Sequence, residues 1–263
     1  MSETISICFL FGASLGSFLN VCAFRIPRGV SVVSGRSICP SCGRVLRWFE
    51  LIPILSYIVI CRGRCRRCSA PISLQYPVVE LLSATCVVLV VLTIGLSAET
   101  LLVILFVLSM LLVALIDWQH YRIPNKVLIW SLSLAIAIKA TTDLSTLWPA
   151  LLASSVSFTA AFLLLLSGRY AFGREVMGMG DVKLAAVIAF VLGVSGLLLS
   201  VWLGAVGGLV FAGMQKVHCG REAENTERIP FGTFLALSSV LLALYETIPG
   251  DFIHFSGAPW LSF

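Results

Sequence analysis

Apolar runs recur along almost the whole chain, at 5–24, 77–96, 100–116, 126–141, 146–167, 182–194, 196–215 and 231–248. Runs of this kind belong in lipid, where only a helix satisfies its own backbone hydrogen bonds. They predict an all-α polytopic membrane protein with about eight transmembrane helices. Gly193 and Gly196 around Ser195 predict a break, so 182–215 is read as two helices. Only 12% of residues are charged and 59% are hydrophobic, against about 25% charged in soluble proteins, which excludes a soluble enzyme. The first run has no basic segment before it and is read as a membrane helix, not a cleaved signal. No internal repeat stands out.

Basic residues set the expected orientation. Nine Arg lie between positions 25 and 67, and further Lys and Arg follow the third, fifth and seventh runs. If eight helices alternate, every basic residue except Lys139 falls on one side. That side is read as the cytoplasm, facing 25–76, 117–125, 168–181 and 216–230, with both termini outside. The net charge of +5 is then a topological bias with some attraction for anionic membrane lipid, and it calls for no nucleic-acid partner.

The longest polar segment, 25–76, is too small for a large core and needs a staple. Cys39, Cys42, Cys65 and Cys68 supply two CxxC pairs. Four thiolates complete a closed tetrahedral site of the structural zinc type, whose binding energy becomes folding energy. The alternative is a pair of redox or metal-free CxxC turns. Cys61 is a nearby extra thiol, Cys8, Cys22 and Cys86 sit in apolar runs as packing residues, and Cys219 is read as a free loop thiol.

A carboxylate in an apolar run is a functional candidate by default. Asp117 closes the third run and is followed by Ile123-Pro124-Asn125; Asp181 opens the sixth, in Gly178-Met179-Gly180-Asp181-Val182-Lys183. Two carboxylates in reach of one another share a proton, so one can take a proton from water while the other polarises a carbonyl. The small Gly178 and Gly180 would admit backbone close to that pair. The plainer alternatives are that Asp181 caps a helix and that Asp117 faces interfacial water. Zinc-peptidase chemistry lacks an HExxH among His120, His218 and His254. Gly193-Val194-Ser195-Gly196 matches a serine-protease GxSG but has no His in a span to act as its base.

Taken in order, these motifs resemble the type IV prepilin peptidase family. The likeness runs through Gly16-Ser17-Phe18-Leu19-Asn20-Val21, Arg25 and Pro27, Cys39-Pro40-Ser41-Cys42-Gly43, Ile52-Pro53-Ile54-Leu55-Ser56-Tyr57 and Gly63-Arg64-Cys65-Arg66-Arg67-Cys68. It continues through Pro71-Ile72-Ser73, Tyr76-Pro77-Val78-Val79-Glu80, Asp117 with Ile123-Pro124-Asn125, Gly178 to Lys183, and Ile229-Pro230-Phe231-Gly232. The resemblance implies a bifunctional enzyme of the bacterial inner membrane. Such an enzyme cleaves the basic leader of type IV prepilins or pseudopilins on the cytoplasmic side, then methylates the new N-terminal amine from S-adenosylmethionine. By this likeness Asp117 and Asp181 are the peptidase pair, and the cysteine segment goes with methyl transfer. The implied division is a first transmembrane helix at 1–24, a zinc-binding segment at 25–76 and a transmembrane aspartyl peptidase domain at 77–263. The alternatives are a peptidase without methyltransferase activity and a non-catalytic scaffold or transporter. Leu51, Phe49 and Thr233 depart from the family pattern, Thr233 standing where Pro is common; in sequence none adjoins the aspartates or the four cysteines.

Supporting roles are expected of a few more residues. Glu80 binds the substrate amine or leader, or caps its helix. Lys183 tunes the aspartate pair or anchors its span. Asn20, deep in an apolar run, must find a polar partner. Glu50, Glu175, Glu222, Glu224 and Glu227 are candidates to attract a basic leader.

Overall fold

The computed structural model describes residues 2–172, 177–219 and 230–246. Every regular element of the described chain is a helix, and its only β pairing is two isolated bridges. Seven α-helices account for most of it: α1 (Ser2–Arg25), α2 (Gln75–Ile94), α3 (Ala98–His120), α4 (Asn125–Thr142), α5 (Leu147–Phe172), α6 (Met179–Cys219) and α7 (Phe231–Glu246).

Five of these helices, α1, α2, α3, α5 and α6, are long and apolar enough to cross a membrane. Five candidates meet this test among the described residues, where about eight helices were expected. α4 falls short because Lys126 and Lys139 dilute it, and α7 because its described length is 16 residues. The break expected within 182–215 is present: two helical stretches meet at a kink at Gly193. α6 runs for 41 residues, but Gly193 inside it has φ 71° and ψ −179°, a conformation essentially reserved for glycine. At 1.5 Å per residue α6 follows a path of roughly 60 Å, about twice what one bilayer core requires.

The chain forms two compact units, Met1–Leu96 and Ser97–Phe263. In the first, α1 lies against α2. A Cβ on Gly12 would stand 2.7 Å from the Ala84 Cα, and one on Gly16 2.7 Å from the Glu80 Cα. These two glycines, four residues apart, let the backbones approach as small residues do at membrane helix contacts. Asn20 finds the partners it requires: its Nδ2 donates to the carbonyls of Gly16 and Tyr76, and its Oδ1 accepts from Gln75 Nε2.

The segment between α1 and α2 is less polar than its charge suggested. A 3-10 turn at Trp48–Leu51 and a π-helical turn at Ser56–Ile60 leave Trp48, Leu51, Leu55, Ile58 and Val59 exposed. These exposed apolar residues have Arg47 before them and Arg62, Arg64, Arg66 and Arg67 after them.

In the second unit α3 is central. Some 72% of its membrane window is buried, against 17% for α5. α7 packs on α3 and on α6, and α6 also meets α4 and α5. Gly204 and Gly207 admit the first turns of α7, with Phe234 and Leu235 at 3.1–3.3 Å from where a Cβ would be. This packing brings the starts of α6 and α7 to the end of α3.

Candidate active site and tetra-cysteine element

Three chain reversals build the site in the second unit. α3 ends when Tyr121 turns left-handed (φ 51°), its N–H bonding the Asp117 carbonyl at 2.8 Å. This places Asp117 in the last turn of α3, ahead of Ile123-Pro124-Asn125, where Pro124 starts α4. α6 begins at Gly178, whose carbonyl accepts from the amides of Asp181 (3.1 Å) and Val182 (3.4 Å). α7 begins after Pro230, so Gly232 and Thr233 fall in its first turn, where amides lack an i−4 partner; the Thr233 N–H is shared between the Pro230 carbonyl, at 3.1 Å, and a group outside the helix.

Asp117 is buried and Asp181 half-buried. Both converge on Gly232. A Cβ built there would lie 2.9 Å from Asp117 Oδ2 and 2.9 Å from Asp181 Oδ1, so the two oxygens stand within twice that distance of each other. Asp117 Oδ2 accepts the Thr233 amide at 2.7 Å and lies 3.1 Å from the Thr233 hydroxyl. It therefore sits at the positive N-terminal end of α7, a favourable place for a carboxylate. Asp181 Oδ2 accepts the Gly178 amide at 3.3 Å.

The glycines predicted from the sequence have physical reasons to be small. A Cβ on Gly178 would stand 3.2 Å from Asp181 Oδ2, and one on Gly180 would stand 3.0 Å from the Ile123 Cβ. Lys183 donates to Asn125 Oδ1 at 2.9 Å, tying the start of α6 to the start of α4. Thr233 and Gly232 were not among the candidate site residues. Thr233 was read as a departure remote from the aspartates, and the structure corrects this: it touches Asp117 directly. Glu175, Glu222, Glu224 and Glu227 lie outside the described residues.

Glu80 belongs to the first unit. It is buried at the start of α2, and its Oε2 accepts the Ile54 amide at 2.7 Å. Ile54 is held at φ 61°, a costly conformation for a β-branched residue, so this bond fixes a strained turn of the preceding loop. Glu50 is likewise committed: Arg44 donates to its Oε1 at 2.7 Å and the Arg47 amide to its Oε2 at 2.8 Å. The Arg44 guanidinium, helped by that amide, holds Glu50 below the usual carboxylate range despite its burial.

Cys39, Cys42, Cys65 and Cys68 gather so that their four sulfurs lie within 4.8 Å of one another. Cys39 Sγ and Cys68 Sγ are 3.9 Å apart, where tetrahedral zinc with bonds of about 2.3 Å requires an edge of about 3.8 Å. The donor set and its spacing fit zinc. The two CxxC turns are copies of one structure. Cys39 N–H bonds the Arg44 carbonyl as Cys65 N–H bonds that of Ala70; Gly43 N–H bonds Cys39 as Ser69 N–H bonds Cys65. Bridges pair Ile38 with Val45 and Arg64 with Pro71, and Gly43 and Ser69 are both left-handed. A structural repeat therefore exists where none was read in the sequence. In each copy backbone amides point at the first sulfur. Those of Cys42 and Ser41 lower the Cys39 pKa, and those of Cys68 and Arg67 bring Cys65 down to about 6, which favours the thiolate at the first cysteine of each pair, while Cys68 is raised to about 11 by burial and its neighbouring sulfurs. Cys61 lies outside the cluster, and burial raises its thiol.

Fold and site together define a multi-pass membrane protein with a paired-aspartate site in one helical unit and a metal-fitting tetra-cysteine element in the other. Residues 10–94 match the bacterial peptidase A24 N-terminal domain, and residues 104–213 match the type IV leader peptidase family. The chain is 35% identical over 241 residues to a prepilin leader peptidase/N-methyltransferase of Bacillus subtilis (strain 168), covering 92% of this chain and 94% of that one. It is 33% identical over 235 residues to one of Myxococcus xanthus (strain DK1622), covering 85% and 68%, and 30% identical over 268 residues to one of Aeromonas hydrophila, covering 91% and 90%. The chain belongs to the prepilin leader peptidase/N-methyltransferase family, a bacterial family of membrane proteins. No solved structure matches it.

Proposed function

We propose that the chain cleaves the leader of type IV prepilins or pseudopilins with Asp117 and Asp181 and then methylates the new N-terminal amine, with S-adenosylmethionine as donor. The observation that carries the peptidase half is the approach of both carboxylates to Gly232. Charges that close are not both ionised at little cost, so the pair holds one proton. Asp117, which accepts the Thr233 amide, is the base: it takes a proton from water as the water oxygen bonds to the scissile carbonyl carbon. Asp181 gives its proton to the carbonyl oxygen. The half-exposed Asp181 is the side from which substrate enters.

The methyltransferase half is supported by the names of the relatives and by the tetra-cysteine element of the first unit. Zinc would be held by the four thiolates and would fix the two turns that carry the intervening loop; with every position taken it offers no open coordination to substrate. The active site faces the cytoplasm in this reading, because Arg122, Lys126, Arg169 and Lys183 flank the helix ends that bear the aspartates. The exposed apolar residues Trp48, Leu51, Leu55, Ile58 and Val59, bracketed by Arg, fit the interface of an anionic membrane.

Intact-mass analysis of a purified prepilin, incubated with detergent-solubilised enzyme and S-adenosylmethionine, tests this directly. Loss of the leader with the gain of one methyl supports both activities. Loss of the leader alone leaves a peptidase without methyl transfer, and an unchanged cognate substrate with folded enzyme contradicts the reading.

A further inference from the structure

Thr233 makes two contacts that one hydroxyl proton cannot satisfy together. Its Oγ1 lies 3.1 Å from Asp117 Oδ2 and 3.1 Å from the Ala114 carbonyl oxygen. A hydroxyl donates once and accepts with its lone pairs. If the hydrogen points to Asp117, the carboxylate receives two bonds on Oδ2, this one and the amide at 2.7 Å, which suits its ionised form. If it points to Ala114, Thr233 Oγ1 and Asp117 Oδ2 face each other at 3.1 Å, and that is favourable only with a proton of Asp117 between them. The site is buried on both sides, Asp117 at 5% and Thr233 at 5% exposure, so no solvent can replace either bond at will.

We propose that Thr233 is a positioning residue whose hydroxyl follows the protonation of Asp117. It donates to the carboxylate before water attacks and to the Ala114 carbonyl once Asp117 holds the proton. In that step one O–H bond of water breaks, its oxygen bonds the carbonyl carbon, and the proton passes to Asp117; the Thr233 proton only rotates. The Ala114 carbonyl lies in the body of α3 and has a second lone pair for this bond, so moving the hydroxyl breaks no helix. The amide of Thr233 holds Asp117 in place throughout. The inference rests on the assignment of Asp117 and Asp181 as the peptidase pair.

Thr233→Val keeps the amide and the shape but removes the hydroxyl, and Thr233→Ser keeps both donors. In the full-length enzyme the Val variant is expected to lose roughly 10- to 100-fold in kcat for leader cleavage with little change in KM, while the Ser variant stays within about 2-fold of the parent. Thr233→Ala serves as the hydroxyl-free variant if Val does not fold. A folded hydroxyl-free variant with the parent kcat, or a loss carried wholly by KM, overturns the proposal. Asp117→Asn separates the two levels. If it is inactive while the Val variant is fully active, only the role of Thr233 fails; if Asp117→Asn itself cleaves normally, the aspartate assignment fails.

Discussion

Gly232 has no room for a side chain. A Cβ there would meet Asp117 Oδ2, Asp181 Oδ1 and the Ile123 Cδ1 atom, all under 3.0 Å. Gly232→Ala is therefore expected to push the carboxylates apart and cut leader cleavage by 100-fold or more, on the order of a misplaced catalytic group, in a protein that still folds. Circular dichroism and cleavage rate measured on one preparation check this. Glu50 allows a pH test. Its folded pKa is depressed by Arg44, so the stability it contributes is complete above about pH 4.3 and is lost as pH falls through the lower folded value. Thermal melts of Glu50→Gln against the parent between roughly pH 6 and pH 3 should converge at the acid end; a constant gap would contradict this. The aspartates and cysteines were legible because their residue types are costly in lipid or occur at metal-ligand spacing. Thr233 was not, because its contact with Asp117 spans 116 positions and depends on how α7 begins.

At the scale of elements, helix existence was written in the apolar runs, but helix length was not. The break around Ser195 was visible as two glycines, and it falls at Gly193, which takes a glycine-only conformation between two helical stretches. Gly193→Ala is expected to destabilise the protein by about 1–3 kcal/mol, seen as a lower melting temperature in detergent. The repeated cysteine turn escaped sequence reading because its copies share little beyond the cysteines; the likeness lies in backbone bonds and in a left-handed residue that is Gly43 in one and Ser69 in the other. Cys39→Ser or Cys65→Ser should reduce bound zinc, measured by elemental analysis, from about one per chain to near none. The exposed apolar residues between Trp48 and Val59 were masked by the charge around them. Quenching by brominated lipid should report Trp48 at the bilayer interface, as the difference between the parent and Trp48→Phe. Equal quenching would place that segment in water.

At the scale of the molecule, α2 keeps company with α1, and the chain divides at Leu96 and Ser97, between the two stretches that match separate family domains. The sequence showed the membrane class and the order of motifs, but the grouping of helices depends on which small residues meet, as Gly12 and Gly16 meet α2. The aspartate pair and its supporting turns are complete within the second unit. The central claim is that this pair performs the cleavage. Its most direct test is a time course of prepilin cleavage by Asp117→Asn and Asp181→Asn, each shown to match the parent in helicity and bound zinc. The account predicts no leader release by either variant over a period in which the parent finishes. Cleavage at the parental rate by either folded variant would contradict it.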